Sequence, residues 1–307
     1  MVDHRVRRSQ CAGRKVRLSV EGIRVSREWL ALREPADAAA RARDLVEHLS
    51  RTIPASGRWL VHDLGCGSGA MGRWLAPLLP GAQHWVVHDR DEDLLEMAAG
   101  DLLVPALDGA AVTVEAKQTD ITRLHSSELA GATLITASAL LDLLTEDELA
   151  RLAAVCIGAA CPVLMTLSVV GRVELTPADP LDRRVAAAFD AHQRRVTGNG
   201  RLLGPDAVAR AAEAFGRLEA DVLVRPSPWQ LGAGQADLSA EWFTGWVAAA
   251  CEQEVGLAAE TDAYRRRRLE EATGGRLAVA VGHADLLVLP GRSPSLGQAV
   301  SNRGESA

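Results

Sequence analysis

VHDLGCGSGAMGRW, residues 61–74, decides how this chain is read. A short apolar run ends in a cluster with glycines at 65, 67, 69 and 72. Glycine reaches positive φ without a Cβ penalty, yet loses more freedom on folding than any other residue. A cluster this dense therefore marks backbone that bends tightly or lets a ligand come close. With RWLVHDL (58–64) before it and MGRWLAPLL (71–79) after it, the stretch reads as buried strand, glycine loop and helix. Pro80 and Gly81 stop that helix.

The same alternation continues outward. HWVVHD (84–89) is a second buried strand, and DEDLLEMAAGDLL follows as a helix. VTVEAKQ ends near Asp120, and ATLITASALL begins a fourth strand near Thr133. Thr145 and Glu148 form a capping-box pattern that opens a helix over 145–157. A fifth strand over 162–170 comes next. Strand and helix alternating in this way predict a mostly parallel, Rossmann-like α/β sheet of seven strands covered on both faces. Residues 26–49 read as two helices broken at Pro35. After 175 the pattern loosens into an inserted helix and loop, an amphipathic helix over LGPDAVARAAEAFGRL, and a strand at ADVLVRPS. Residues 238–273 are strongly helical, and 276–290 form a late strand or hairpin. The expected organisation is a tail and helical segment (1–54), a core (55–175), a helical cap with the last strands (176–290) and a disordered tail (291–307).

Composition narrows the function classes. With 307 residues and a formal net charge of −6, the chain has ample core and no basic excess for nucleic acid. Five cysteines without a CxxC pair suggest neither a disulfide framework nor a zinc site, so no metal is expected and a reducing cytoplasm fits. The uncharged stretch 152–171 is long enough for a membrane, but Gly158 and Pro162 divide it into helix and strand, so no membrane span is expected. No apolar segment follows the basic N-terminus, which excludes a signal-peptide reading there.

Residues 67–72 match GxGxxG, which leaves a dinucleotide open. Asp63, two residues before the first glycine, argues the other way: a carboxylate beside a pyrophosphate is repulsive, and beside a cation attractive. Here the chain resembles the class I S-adenosylmethionine-dependent methyltransferases, over about residues 55–172. The resemblance implies that Asp63 anchors the amino acid part of the cofactor, which Gly65 and Gly67 let approach. It implies that Asp89, with Arg90 beside it, holds the ribose, that Asp120 and the Ile121 N–H read adenine, and that Ser138 lies under the methionine part. The expected cofactor is S-adenosyl-L-methionine, leaving as S-adenosyl-L-homocysteine. Each acid also reads as a helix cap or solvated strand end, and Cys66 as a small loop residue.

Methyl transfer needs two reactants held in line, and a base only where the acceptor arrives protonated. Candidate catalytic residues are Asp142 just past the fourth strand, His192 on the inserted helix, and His283 in the late strand. Trp229, Trp242 and Trp246 form either core or an aromatic wall, and Arg265–Arg268 followed by Glu270 and Glu271 reads as an exposed, salt-bridged helix face. No NPPY or DPPY element follows the fourth strand. The expectation is transfer to oxygen or nitrogen of a small-molecule acceptor, with a homodimer left open as the assembly. Other chemistry with the same cofactor, and non-catalytic binding, are the competing readings.

Overall fold

The computed structural model describes residues 25–52, 57–102 and 104–291; the expected tails at 1–20 and 291–307 lie largely outside that range. Five strands run parallel: β1 (Trp59–Leu64), β2 (Gln83–Asp89), β3 (Val112–Gln118), β4 (Leu134–Ser138) and β5 (Val163–Thr176). Three later strands run antiparallel to their neighbour: β8 (Asp221–Pro226), β9 (Trp229–Leu231) and β10 (Ala278–Leu289). The order is β3-β2-β1-β4-β5-β10-β8, with β9 paired to β10 off that path. The chain moves one way from β1 to β3, then returns to β4 on the other side of β1. That reversal opens a crevice beyond the tips of β1 and β4, where open α/β sheets bind ligands.

Buried side chains explain the layers. On one face Val61, Trp85 and Val87 meet α2 (Arg43–Thr52), α3 (Ala70–Leu75) and α4 (Glu92–Asp101) through Leu45, Leu75 and Leu95. On the other, Leu64, Ile135 and Met165 meet α5 (Glu146–Gly158) and α7 (Ala207–Arg217) through Leu152 and Phe215. Both oxygens of the α5 capping box bond as the sequence predicts: Glu148 N donates to Thr145 Oγ1, and Thr145 N donates to Glu148 at 2.9 Å.

A third apolar cluster builds the cap from α6 (Asp182–Gln193), α8 (Ala236–Gln253), α9 (Leu257–Thr273) and β9. α1 (Arg27–Ala40) packs against it with Trp29, Leu32, Ala36 and Ala40. A small hairpin, β6 (Val196–Thr197) and β7 (Gly200–Arg201), follows α6. β5 and β10 are long enough to serve both units. Their inner halves belong to the core sheet, and their outer halves carry the cap. At the junction Leu167 adopts φ +57° and the pairing register shifts around His283 and Ala284.

Several expectations change. Pro35 lies inside α1, and the break comes at Arg41, whose backbone turns extended while Ala42 N donates to Asp285 Oδ2 at 2.8 Å. A tertiary bond, not the proline, ends the helix. Residues 238–273 form two helices, residues 276–290 one strand, and the fifth strand runs on to Thr176. β9 adds a short eighth strand to the seven expected. Arg268 is buried rather than exposed, and forks onto Asp182 at 2.7 and 2.9 Å, tying α9 to α6. Trp242 and Trp246 stack at 5.2 Å within the cap. No helix among the described residues is long and apolar enough to cross a membrane.

Asp285 holds these parts together. It is fully buried; Oδ1 accepts from Leu167 N at 2.8 Å and from the Ser227 hydroxyl, and Oδ2 from Ala42 N. Asp285→Ala leaves two buried N–H groups unpaired. It is expected to lower stability by about 3 kcal/mol, read as a lower urea midpoint at unchanged slope. A midpoint within error of the parent would show that the α1–α2 junction is held by something else.

Candidate functional site

The glycine loop is shaped by backbone before any side chain matters. Gly65 has φ +67°, and Gly67 has φ +54°. A Cβ on Gly65 would stand 3.2 Å from Leu140 Cδ1 in a conformation that L side chains rarely adopt. The loop is stitched to β2: Cys66 N donates to the His88 carbonyl at 2.9 Å, and Gly67 N to Asp89 Oδ2 at 2.9 Å. Behind the loop, His62 Nδ1 and His88 Nε2 lie 3.0 Å apart, and burial pulls both rings down to about 4, so this pair is neutral at physiological pH.

Asp63 ends β1 in register with Thr136 of β4 and is 1% exposed. Thr136 Oγ1 donates to its Oδ1 at 2.7 Å, while Oδ2 has no partner. Burial pushes its carboxyl up to about 6, against the hydrogen bond from Thr136 and the pull of Arg41. Asp89, at the tip of β2, is half-buried, and its Oδ1 accepts from Asp91 N at 3.0 Å. Arg90 is exposed, and only its carbonyl is engaged, by Gln118 Nε2 at 3.1 Å. Asp120 caps the short turn Ile121–Arg123, accepting from Thr122 N at 3.1 Å and Thr122 Oγ1 at 2.7 Å, with Ile121 buried beside it. Ser138 closes β4, where its Oγ accepts from Thr166 Oγ1 at 3.0 Å. Asp63, Asp89, Asp120 and Ser138 thus stand at or just past the ends of four neighbouring parallel strands, on the side where the glycine loop lies.

α1 runs over this edge. Leu30 Cδ1 lies 3.7 Å from where a Cβ on Gly67 would be. Arg73 of α3 forks onto Glu34 at 2.6 and 2.7 Å. Arg41, which the sequence reading missed, sits at the centre: it is 3% exposed, donates from Nη2 to Ser138 Oγ at 3.2 Å, and stands 5.2 Å over the Trp74 ring. The one local signal was a pair of arginines inside the small-residue run AAARARD.

Asp142 and His283 both lie within the electrostatic reach of Arg33 on α1. Asp142, in the turn Leu141–Leu143, is half-buried, and burial pushes it up to about 6 against the pull of Arg33 and Arg195. His283 is buried on β10, its Nδ1 without a partner and its ring 5.2 Å from Trp229. Burial, then the charge of Arg33, pulls it down to about 3. The Arg33 charge therefore acts on both. It pairs with Asp37 at 2.8 Å and lies 5.2 Å over Trp229, whose Nε1 donates to Asp37 Oδ1 at 2.9 Å. His192 stands apart: its Nε2 faces Glu252 Oε2 on α8 at 3.4 Å, and it adjoins Asp142 only through their shared neighbour Arg195. Among the described residues no group of three or more His, Cys, Asp or Glu side chains could hold a metal ion.

The sheet order, the glycine loop and the row of strand-end carboxylates make this a Rossmann-like open α/β sheet with its crevice at the topological switch point. The chain matches no family model and no curated protein. Solved structures it is similar to include an S-adenosylmethionine-dependent methyltransferase from Geobacter sulfurreducens in complex with S-adenosyl-L-homocysteine, at 15% identity over 87% of this chain and 98% of that one, TM-score 0.40. A mycolic acid cyclopropane synthase is similar at 13% identity over 85% and 94%, TM-score 0.43, and a [4+2]-cyclase at 13% over 87% and 96%, TM-score 0.41.

Cys66 is buried, and burial together with Asp63 and Asp89 raises its thiol far above the ordinary value. Iodoacetamide at pH 8 should leave Cys66 unmodified in the native protein and label it in urea, as read by peptide mass. Native labelling would make it a nucleophile after all.

Proposed function

We propose that the chain binds S-adenosylmethionine across the β1–β4 crevice and transfers its methyl group to an oxygen or nitrogen of a small-molecule acceptor. The observation that carries this reading is Asp63: a buried carboxylate at the topological switch point, one oxygen unpartnered, beside a loop of left-handed glycines. Such a group repels a pyrophosphate and attracts an ammonium.

The residues fit the cofactor in kind. Gly65 and Gly67 let backbone approach its amino acid part, and Asp63 and Ser138 face that part. Asp89 has lone pairs left for ribose hydroxyls after its two backbone bonds. Asp120 and Ile121 bound the adenine end, and Arg90 its exposed rim. When bound, the cofactor supplies an electrophilic methyl on a good leaving group. What remains for the protein is position and, for a hydroxyl or ammonium acceptor, removal of a proton. Asp142 and His283 are the candidate proton acceptors, one charged above about pH 6 and the other neutral at physiological pH. Trp29, 6.4 Å from the buried Trp229 that packs on His283, is the aromatic side chain on α1 that would adjoin a planar or partly apolar acceptor. His192, the third candidate base, faces Glu252 on the cap and lies outside the Arg33 group.

Two outcomes test the cofactor half. Asp89→Ala should weaken S-adenosylhomocysteine binding at least tenfold, about 1.5 kcal/mol, by titration calorimetry. Affinity for the cationic cofactor should also be full above about pH 7 and decline as pH falls through about 6, because only the ionised Asp63 attracts it. A folded Asp89→Ala protein with parental affinity removes the ribose assignment, and a flat pH profile removes the Asp63 assignment.

The acceptor half is read by turnover. Asp142→Asn and His283→Asn should retain cofactor affinity, and the variant lacking the true base should lose about 100-fold or more in kcat. With Asp142 as base, kcat of the parent rises as pH passes upward through about 6. A product that gains one methyl mass, with release of S-adenosylhomocysteine, separates methylation from other chemistry on the same scaffold.

A further inference from the structure

Arg33 is held more firmly than a helix needs. Its Nε and Nη2 fork onto Asp37 at 2.8 and 3.2 Å, and Asp37 is itself buried and fixed by Trp229 Nε1 at 2.9 Å. The guanidinium lies 5.2 Å over the Trp229 ring and 5.9 Å over the Trp29 ring, so two indoles border it. For the stability of α1 alone the pair is ordered the weaker way, with the cation four residues before the acid. The fork uses two of the three guanidinium nitrogens. Nη1 carries no hydrogen bond among the described residues, and it is not sealed in, since the Arg33 side chain is 15% exposed. Asp142 does not take that edge, because the one ion pair of Arg33 among the described residues is with Asp37.

We propose that Arg33 is a specificity-determining residue for the acceptor, and that the acceptor carries a carboxylate which pairs with the open Nη1 edge. This rests on the methyl-transfer reading above and deepens it by naming the acceptor class: an acid that also bears the hydroxyl or amine to be methylated, on a flat or apolar body. A guanidinium has its donors in one rigid plane, so Nη1 and the second hydrogen of Nη2 offer a carboxylate a fork while Asp37 keeps the other edge. Asp37 and the indoles set that plane beforehand, so little side-chain freedom is lost on binding. Trp29, half-buried beside the guanidinium, offers the body of the acceptor an aromatic face. The charge of Arg33 reaches both Asp142 and His283, so an acid held there has its second group near the two candidate proton acceptors. Asp142 repels a carboxylate once ionised, Arg195 offsets that from just past α6, and His283 is neutral. The preference for an acid therefore depends on Arg33.

The test pairs three aromatic acids, para-hydroxybenzoate, salicylate and anthranilate, with their primary amides, which keep the ring and the hydroxyl or amine and lose the charge. Each is titrated by calorimetry against the full chain, with and without S-adenosylhomocysteine. The parent should bind at least one acid about 20-fold or more tighter than its amide, as a charge-assisted fork implies. Arg33→Gln should lose about the same 20-fold for that acid while binding the amide within threefold of the parent. Arg33→Lys should fall between, because it keeps the charge without the fork. The parent arm needs no variant to fold. Acids bound no better than their amides overturn the proposal, and so does a parent that binds S-adenosylhomocysteine but no acid at millimolar concentration. An Arg33→Gln protein that weakens acid and amide alike also overturns it, since that pattern marks a structural arginine. If the acid preference holds and is lost in Arg33→Gln while S-adenosylhomocysteine does not bind, the anion site stands and the cofactor reading alone fails.

Discussion

The bond from Ala42 N to the buried carboxylate of Asp285 is the constraint on which the rest depends. It lies two residues past the end of α1 at Ala40 and fixes where the N-terminal helix meets the sheet. The same carboxylate holds the left-handed residue Leu167, where β5 passes from core to cap, and Ser227, between β8 and β9. Three separated pieces of chain thereby converge on one side chain of a fourth. Arg33, Asp37 and Arg41 all project from the helix that this junction places, so the charge pattern over the strand tips is a consequence of it.

That pattern is costly in isolation. Asp63, Asp142, Arg41 and His283 each carry a shift whose first cause is burial, and in each case burial disfavours the charged form. A chain selected for stability alone would replace such groups with apolar ones of similar volume. They instead gather at the carboxyl ends of the parallel strands, under α1, which is where perturbed ionisable groups indicate a functional site. The buried charges elsewhere behave differently. Arg268 meets Asp182 through two bonds and Glu271 through a third at 2.9 Å, so that cluster holds helices together and leaves only Nε open.

The sequence carried the local half of this arrangement. Glycines that must adopt positive φ, acids at strand ends and a capping box are written within a few neighbouring residues, and Asp63, Gly65, Gly67 and Asp89 were legible for that reason. Arg41 and Asp285 were not, because their meaning lies in contacts 97 and 243 residues away along the chain, to Ser138 and Ala42 respectively. Pro35 misled in the same manner. A proline lowers helical preference locally, but α1 buries Trp29, Leu32, Ala36 and Ala40 against the cap, and that tertiary gain carries the helix through it. Asp120 shows the opposite error of emphasis: its strand-end position was readable, while its engagement as a cap on Thr122 was the plainer half of the same reading.

The cap is tied to the parallel core through covalent continuity. β5 contributes Thr166 to the hydroxyl pair under Arg41, then changes conformation at Leu167 and runs outward as the floor of the cap. β10 contributes Asp285 to the junction and His283, two residues earlier, to the ring contact with Trp229. A shift of the cap relative to the core must pass through these two strands, at the register irregularities that flank His283 and Ala284. Such a shift moves His283 and Trp229 together, because Trp229 pairs with Val281 on the same strand. The strand tips that hold Asp63 and Asp89 belong to the parallel core and need not follow. This division lets the cap side shift while the carboxylates at the strand ends keep their spacing, provided α1 stays anchored to Asp285.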